Sequence, residues 1–97
     1  MKSIMQTVKR CYFCGSTSVE KHHIFFGGLR PTSERMGFTA WLCPYHHRDA
    51  KHGVHGCRAL DLKLKEACQE VYEQTHTRAE WMQLIGRNYR GNNDKHK

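Results

Sequence analysis

The hydrophobic and polar positions of this chain change period along its length. Residues 19–26 are rich in β-branched and aromatic side chains and stop at Gly27-Gly28, which predicts a strand. Residues 38–43 alternate, with Phe38, Ala40 and Leu42 set against Thr39 and Trp41, and predict a second strand. Between them, residues 29–37 read as a loop carrying Arg30, Glu34 and Arg35. Pro44 suits the first turn of a helix because it lacks the N–H that would have no partner there, so residues 44–52 read as a short helix. Leu60, Leu64, Ala67/Cys68 and Val71 recur at helical spacing and predict an amphipathic helix over roughly 58–75. Thr77-Arg-Ala-Glu80 has the form of a capping box and opens a further helix through Trp81, Leu84 and Ile85, which Gly86 ends. Phe25, Phe38, Trp41 and Trp81 are expected in the core, and Lys63 and Lys65 on solvated helix surface.

The outline is α+β. A length of 97 residues predicts one domain, 1–97, with three parts. Residues 11–56 have the Cys, His, Gly and aromatic content of a metal-organised unit, residues 57–86 are a helical extension, and residues 87–97 are a basic tail expected to be mobile. Hydrophobic content is only 38%, and a domain this small commonly gains stability from a disulfide or a metal. Five cysteines do not make a complete intramolecular disulfide framework, so the cysteines point to metal ligation in a reducing compartment. No segment approaches the apolar length of a membrane span or a signal peptide, and the expected location is the cytoplasm. Lys plus Arg outnumber Asp plus Glu, 16 to 9, for a formal net charge of +7, which favours a polyanionic partner.

The charge alone names no chemistry; the cysteines and histidines do. Cys11-Tyr-Phe-Cys14 has the spacing at which one tight turn directs two sulfurs at a single ion. Cys43-Pro-Tyr-His46 repeats the spacing with an imidazole, which predicts a Cys₃His structural zinc site, with His47 as the alternative fourth ligand. Cys57 and Cys68 lie outside this pattern. A second set is formed by His22 and His23, adjacent on a strand and therefore directed to opposite faces. One of this pair can hold a divalent cation, Mg²⁺ or Mn²⁺ for example, while the other takes a proton from an attacking water. His47 and either His52 or His55 complete the ligand set. Arg30 and Arg35 are placed for phosphate contact. Arg48 and Lys51 flank the short-helix histidines, suited to transition-state charge or backbone grip, and Arg87, Arg90, Lys95 and Lys97 add electrostatic affinity.

Glu20-Lys-His22-His23-Ile24-Phe25, followed by Trp41-Leu-Cys43-Pro-Tyr-His46-His47-Arg48, resembles the small HNH endonucleases of phages and mobile elements, the ββα-metal or His-Me finger fold. The resemblance covers roughly residues 11–56 and implies an α+β, zinc-stabilised finger that hydrolyses DNA phosphodiesters in a host cytoplasm. It implies that His22 and His47 are cation ligands and that His23 is the general base. It also implies that Cys11, Cys14, Cys43 and His46 correspond to the two Cys-x-x-Cys pairs of zinc-bearing members. Two positions depart from that pattern. Phe38 stands where the motif has Asn, and Lys51 stands where it has its last ligand, so that His52 and His55 are the nearest substitutes. RNA in place of DNA, and a noncatalytic zinc-dependent nucleic-acid-binding module in place of an enzyme, are the alternative readings. A zinc deaminase would want His-x-Glu, which does not occur.

Overall fold

A computed structural model describes residues 1–91 of the chain. Its elements are β1 (Glu20–His23), a single 3-10 turn (Gly27–Leu29), α1 (Arg30–Met36), β2 (Thr39–Leu42), α2 (Pro44–Arg48), α3 (Arg58–Tyr72) and α4 (Arg78–Ile85). The protein is thus α+β, with one two-stranded antiparallel ribbon and four α-helices among the described residues. Both strands are shorter than their hydrophobic runs, because Ile24, Phe25 and Phe38 leave the ribbon to enter the core. The register sets Glu20 opposite Leu42, Lys21 opposite Trp41, His22 opposite Ala40 and His23 opposite Thr39. One face of the ribbon therefore carries Glu20, His22, Ala40 and Leu42, and the other Lys21, His23, Thr39 and Trp41.

The connection between the strands corrects the sequence reading. It is helix α1, not a loop, with Pro31 in its first turn and Gly37 as a left-handed C-cap at φ 74°. Those are helix start and stop signals, outweighed in the sequence by the polar residues between them. Ser33 locks α1 onto the ribbon end: its hydroxyl donates to the Phe25 carbonyl at 2.6 Å and accepts from the Phe25 N–H at 3.0 Å. Helix α2 stops at Arg48, short of the expected His52, because Asp49 turns extended (ψ 136°). Helix α3 likewise ends at Tyr72, three residues before the expected end.

The core lies between the ribbon end and the two long helices. Phe25, Phe38, Leu64, Cys68 and Trp81 are fully buried, and the Trp81 ring meets Phe25 and Phe38 edge-on or tilted at 5.4 Å each. The Trp81 indole N–H donates to the Arg87 carbonyl at 2.9 Å, so this buried polar group is satisfied. Two assignments change here, those of Trp41 and Lys65. Trp41 is on the outer face of the ribbon and only partly buried, with the Lys9 ammonium 4.7 Å from its ring centre. Thr39, on the same face, is buried because the N-terminal segment lies along β2: Ser3 Oγ donates to the Thr39 carbonyl at 2.5 Å, and Gln6 Oε1 accepts from the Trp41 N–H at 2.8 Å. Lys65 is buried rather than solvated, ion-paired with Asp61 at 2.5 Å one helical turn away and lying 4.6 Å from the Phe26 ring centre. Lys63 is exposed as expected.

The segment after α4 begins as packed chain, not as a free tail. The Tyr89 N–H donates to Gln69 at 2.7 Å, and Arg90 pairs with Glu73 at 2.5 Å. Arg90 is therefore held in an intramolecular ion pair and withdrawn from the expected phosphate-binding set, while Arg87 is exposed over the Tyr89 ring. Lys95 and Lys97, and the rest of the expected tail, lie outside the described residues. No helix among the described residues is long and apolar enough to cross a membrane.

The capping box of α4 forms in full. Thr77 Oγ1 accepts from the Glu80 N–H at 3.1 Å, and Glu80 accepts from the Thr77 N–H at 2.8 Å. Thr77→Ala is expected to cost about 1 kcal/mol, lowering the melting temperature by roughly 4–8 °C in a domain of this size. Thermal denaturation followed by circular dichroism checks it.

Candidate functional site

Two ligand clusters flank helix α2, and consecutive residues of that helix feed them. His46 and His47 project about 100° apart around its axis, so one joins the cysteines and the other turns to the ribbon. The first cluster is Cys11, Cys14, Cys43 and His46. Its edges are Cys14 Sγ to Cys43 Sγ 3.7 Å, Cys11 Sγ to His46 Nδ1 3.7 Å and Cys43 Sγ to His46 Nδ1 3.4 Å. A tetrahedral ion with Zn–S and Zn–N bonds of about 2.3 and 2.0–2.1 Å demands sulfur–sulfur edges of about 3.8 Å and sulfur–nitrogen edges of about 3.6 Å. The four residues fit a metal such as zinc on geometry as well as on donor type.

The backbone prepares this cluster. Gly15 takes φ 80° just past the second cysteine, and its N–H returns to the Cys11 carbonyl at 2.8 Å, closing the knuckle. Burial raises the Cys11 thiol, but backbone N–H donors led by Cys43 outweigh it and bring the group down to about 6, within reach of a thiolate at neutral pH. Cys57 and Cys68 stay outside the cluster, and burial pushes the Cys68 thiol far up.

The second cluster is His22, His47 and His55. Ring centres lie 5.1 Å apart for His22 and His47, 5.2 Å for His22 and His55, and 4.9 Å for His47 and His55. His22 is buried, and its Nε2 is the one buried side-chain nitrogen or oxygen without a hydrogen-bond partner among the described residues. Such an atom costs free energy unless something accepts its lone pair, which a cation would do. Burial first, then the neighbouring His47 and His55, lowers His22 from its ordinary 6.5 to about 3, so it stands as a neutral imidazole ready to ligate. Burial and His47 also lower His55. His47 gives its Nδ1 to Glu20 at 2.7 Å, which directs Nε2 toward the cluster. The same carboxylate takes Arg48, and the His47 hydrogen bond leads in holding Glu20 below its usual range.

Of the two expected candidates for the last position, His55 is in the cluster and His52 is not. His52 points outward, bonding Asp49 at 2.9 Å and stacking on Tyr45 at 4.7 Å. The turn after α2 decides this. A side chain at buried Gly53 would have its Cβ 2.7–2.8 Å from the backbone of Arg48 and Asp49, so only glycine lets the chain fold back this tightly. The His55 N–H then reaches the His47 carbonyl at 3.3 Å. Lys51 is exposed in that turn, lining a separate cleft with Tyr45, His46, His52 and Cys57.

His23, on the opposite ribbon face from His22, donates from Nε2 to Glu34 Oε1 at 2.7 Å. Glu34 also takes Lys21 at 3.1 Å, and His23 leads these two partners in lowering its carboxyl to about 2. A carboxylate at Nε2 keeps the proton on that nitrogen and leaves Nδ1 as the basic one. A cleft of about 240 Å³ is lined by Lys21, His22, His23, Phe26, Arg30, His47 and His55. Arg30 is therefore at the cleft, on α1, whereas Arg35 is on the exposed surface of that helix.

Glu20 and Glu34 were not assigned a role from sequence, although signals existed. Glu20 is two residues before His22 on a strand, hence on the same face, and Glu34 is one helical turn after Arg30 once 30–36 is read as a helix.

The lone buried Nε2 gives a stability prediction. His22→Leu removes an unsatisfied polar group and is expected to raise stability by about 1–2 kcal/mol when no cation is supplied to this cluster. Because the folded value, about 3, lies below the ordinary 6.5, the wild type holds its full contribution above pH 6.5. It loses stability as pH falls toward 3, by up to about 1.4 kcal/mol per pH unit. The variant lacks that component of the slope, so urea melts of the two proteins at pH 7 and pH 5, with zinc stoichiometric, should diverge further at pH 5.

Comparison with protein-family models, with curated proteins and with solved structures finds no match to this chain.

Proposed function

We propose that the protein is a metal-dependent endonuclease of the HNH, or ββα-metal, type that hydrolyses DNA phosphodiester bonds. The observation that carries this reading is that three imidazoles within metal-ligating distance of one another, one of them the buried and unpartnered His22, and a fourth imidazole braced by a carboxylate line one cleft. The Cys₃His cluster is the structural zinc site, and it anchors α2 so that His47 meets His22.

His22, His47 and His55 would hold a divalent cation such as Mg²⁺ or Mn²⁺, which would supply Lewis-acid stabilisation of charge on the phosphate. His23, its proton kept on Nε2 by Glu34, takes a proton from water at Nδ1. The water oxygen bonds to phosphorus as the bond to the 3′ oxygen breaks. Arg30, at the rim of the cleft, grips the phosphate being cut. Glu20 orients His47 and also pairs with the exposed Arg48, which is not among the residues lining the cleft and is left to contact the flanking backbone. Arg35, Lys51 and Arg87 are exposed cations for the flanking backbone.

The test is supercoiled plasmid incubated with the purified protein and Mg²⁺, Mn²⁺ or Ni²⁺, beside a chelated control. Nicked or linear product that requires the cation is expected. Salt-sensitive DNA binding with no cleavage under any cation would replace the enzyme with a noncatalytic binding module.

A further inference from the structure

The outer face of the ribbon carries a second feature that the cleavage chemistry does not use. Lys2, Lys9 and Lys21 converge with Gln6, Thr7 and Trp41 on a groove of about 340 Å³, and no aspartate or glutamate is among its lining residues. Lys21 and Trp41 are directly paired across the ribbon, and Lys9 already places its ammonium over the indole at 4.7 Å. Lys21 also meets Glu34 at 3.1 Å, an exposed pair that, unlike the buried Arg90–Glu73 pair, costs little to exchange for a phosphate. Trp41 is only partly buried, and its backbone N–H and carbonyl are both held by the N-terminal segment, through Gln6 and Tyr12, at 2.8 Å each. The main chain that carries the indole is thereby fixed.

The groove borders the histidine cleft at Lys21, which lines both. His23 and Trp41 share the outer ribbon face as diagonal neighbours, a separation of about 7–8 Å in an antiparallel pair. A phosphate at His23 thus has its next residues of chain led over Lys21 to Trp41, Lys9 and Lys2. Aromatic rings with interleaved cations are how unpaired nucleotides are held, the ring stacking on a base and the ammonium groups tracking phosphates. A duplex base has no free π-face to offer.

We propose that this groove binds an unpaired nucleic-acid segment flanking the scissile phosphate, with a base stacked on Trp41 and phosphates on Lys2, Lys9 and Lys21. The inference deepens the proposed nuclease function and rests on it for the position of the scissile phosphate.

The experiment is binding of a labelled short single-stranded DNA to the full chain in buffer without added divalent cation, against a duplex of the same sequence. Trp41→Ala is expected to weaken single-strand binding roughly 5- to 100-fold, the worth of one base stack. Trp41→Phe should restore most of it, which a folding defect would not allow. Replacing the three lysines with alanine should flatten the slope of log affinity against log salt by about 2, at about 0.7 per phosphate contact. Lys63→Ala, on the far helix, should not. Trp81 is fully buried, so quenching of tryptophan fluorescence by the oligonucleotide reports Trp41. Unchanged binding and salt slope in both variants, or tighter binding of duplex than of single strand, overturns the groove and leaves plasmid cleavage to stand on its own. Weakened binding in both variants by a protein that cuts no plasmid under any cation keeps the groove and removes the nuclease.

Discussion

His23→Ala is expected to slow plasmid cleavage by roughly 10²–10⁴-fold, the usual worth of a positioned general base. The fold should not register the change. His23 lies on the outer ribbon face, away from the core, and its one strong contact is to Glu34, half of whose side chain is exposed. The His22, His47 and His55 rings are on the other side of the strand, so cation binding should persist. Rates under single-turnover conditions, with circular dichroism and zinc content measured on both proteins, separate the two effects. Cleavage within a few-fold of wild type would remove His23 from the chemistry. Glu34 shares in the effect only through His23, which makes it a positioning residue.

The largest effect on stability is expected at the cysteines. Structural zinc sites contribute roughly 10–16 kcal/mol of apparent binding free energy at neutral pH, as much as the whole stability of an ordinary domain. Here the metal would join the N-terminal knuckle to the start of α2, adding to the packing of Phe13 on the His46 ring and the Tyr12 N–H bond to the Trp41 carbonyl. Cys11→Ser, or chelation of the wild type, should therefore abolish cooperative melting of the ribbon and α2 and lower the melting temperature by tens of degrees, about 4–8 °C for each kcal/mol lost. Cys11 and Cys43 belong to the same buried core as Phe25, Phe38, Leu64 and Trp81, but the ring contacts of Trp81 with Phe25 and Phe38 do not run through them, so helix content from α3 and α4 should survive in part. Cys57→Ser is the control and should melt as wild type. One zinc per chain by elemental analysis, lost in Cys11→Ser, is the accompanying readout. A Cys11→Ser melt within a few degrees of wild type would show that the cluster holds no structural metal.

What the sequence by itself determined is local. The α4 capping box, the Pro44 helix start and the Cys-x-x-Cys knuckle each depend on residues within four positions of one another, so spacing is enough to place them. The opposite facing of His22 and His23 follows from the period of a strand, and the two ribbon faces separate them as that period requires. Only the tertiary structure decided between neighbours. His46 rather than His47 joins the cysteines because of where α2 points after Cys43. His55 rather than His52 meets His22 because the helix stops at Arg48 and Gly53 admits a tight return. Glu34 and Glu20 reach His23 and His47 across 11 and 27 residues of chain, a separation at which sequence spacing carries no distance. Lys65 and Arg90 look like free surface cations in the sequence, yet Asp61 and Glu73 hold them in place. Side-chain direction at the end of a helix, and the partner of a charge, are set by packing across the fold, and packing is not written in the spacing of residues along one segment.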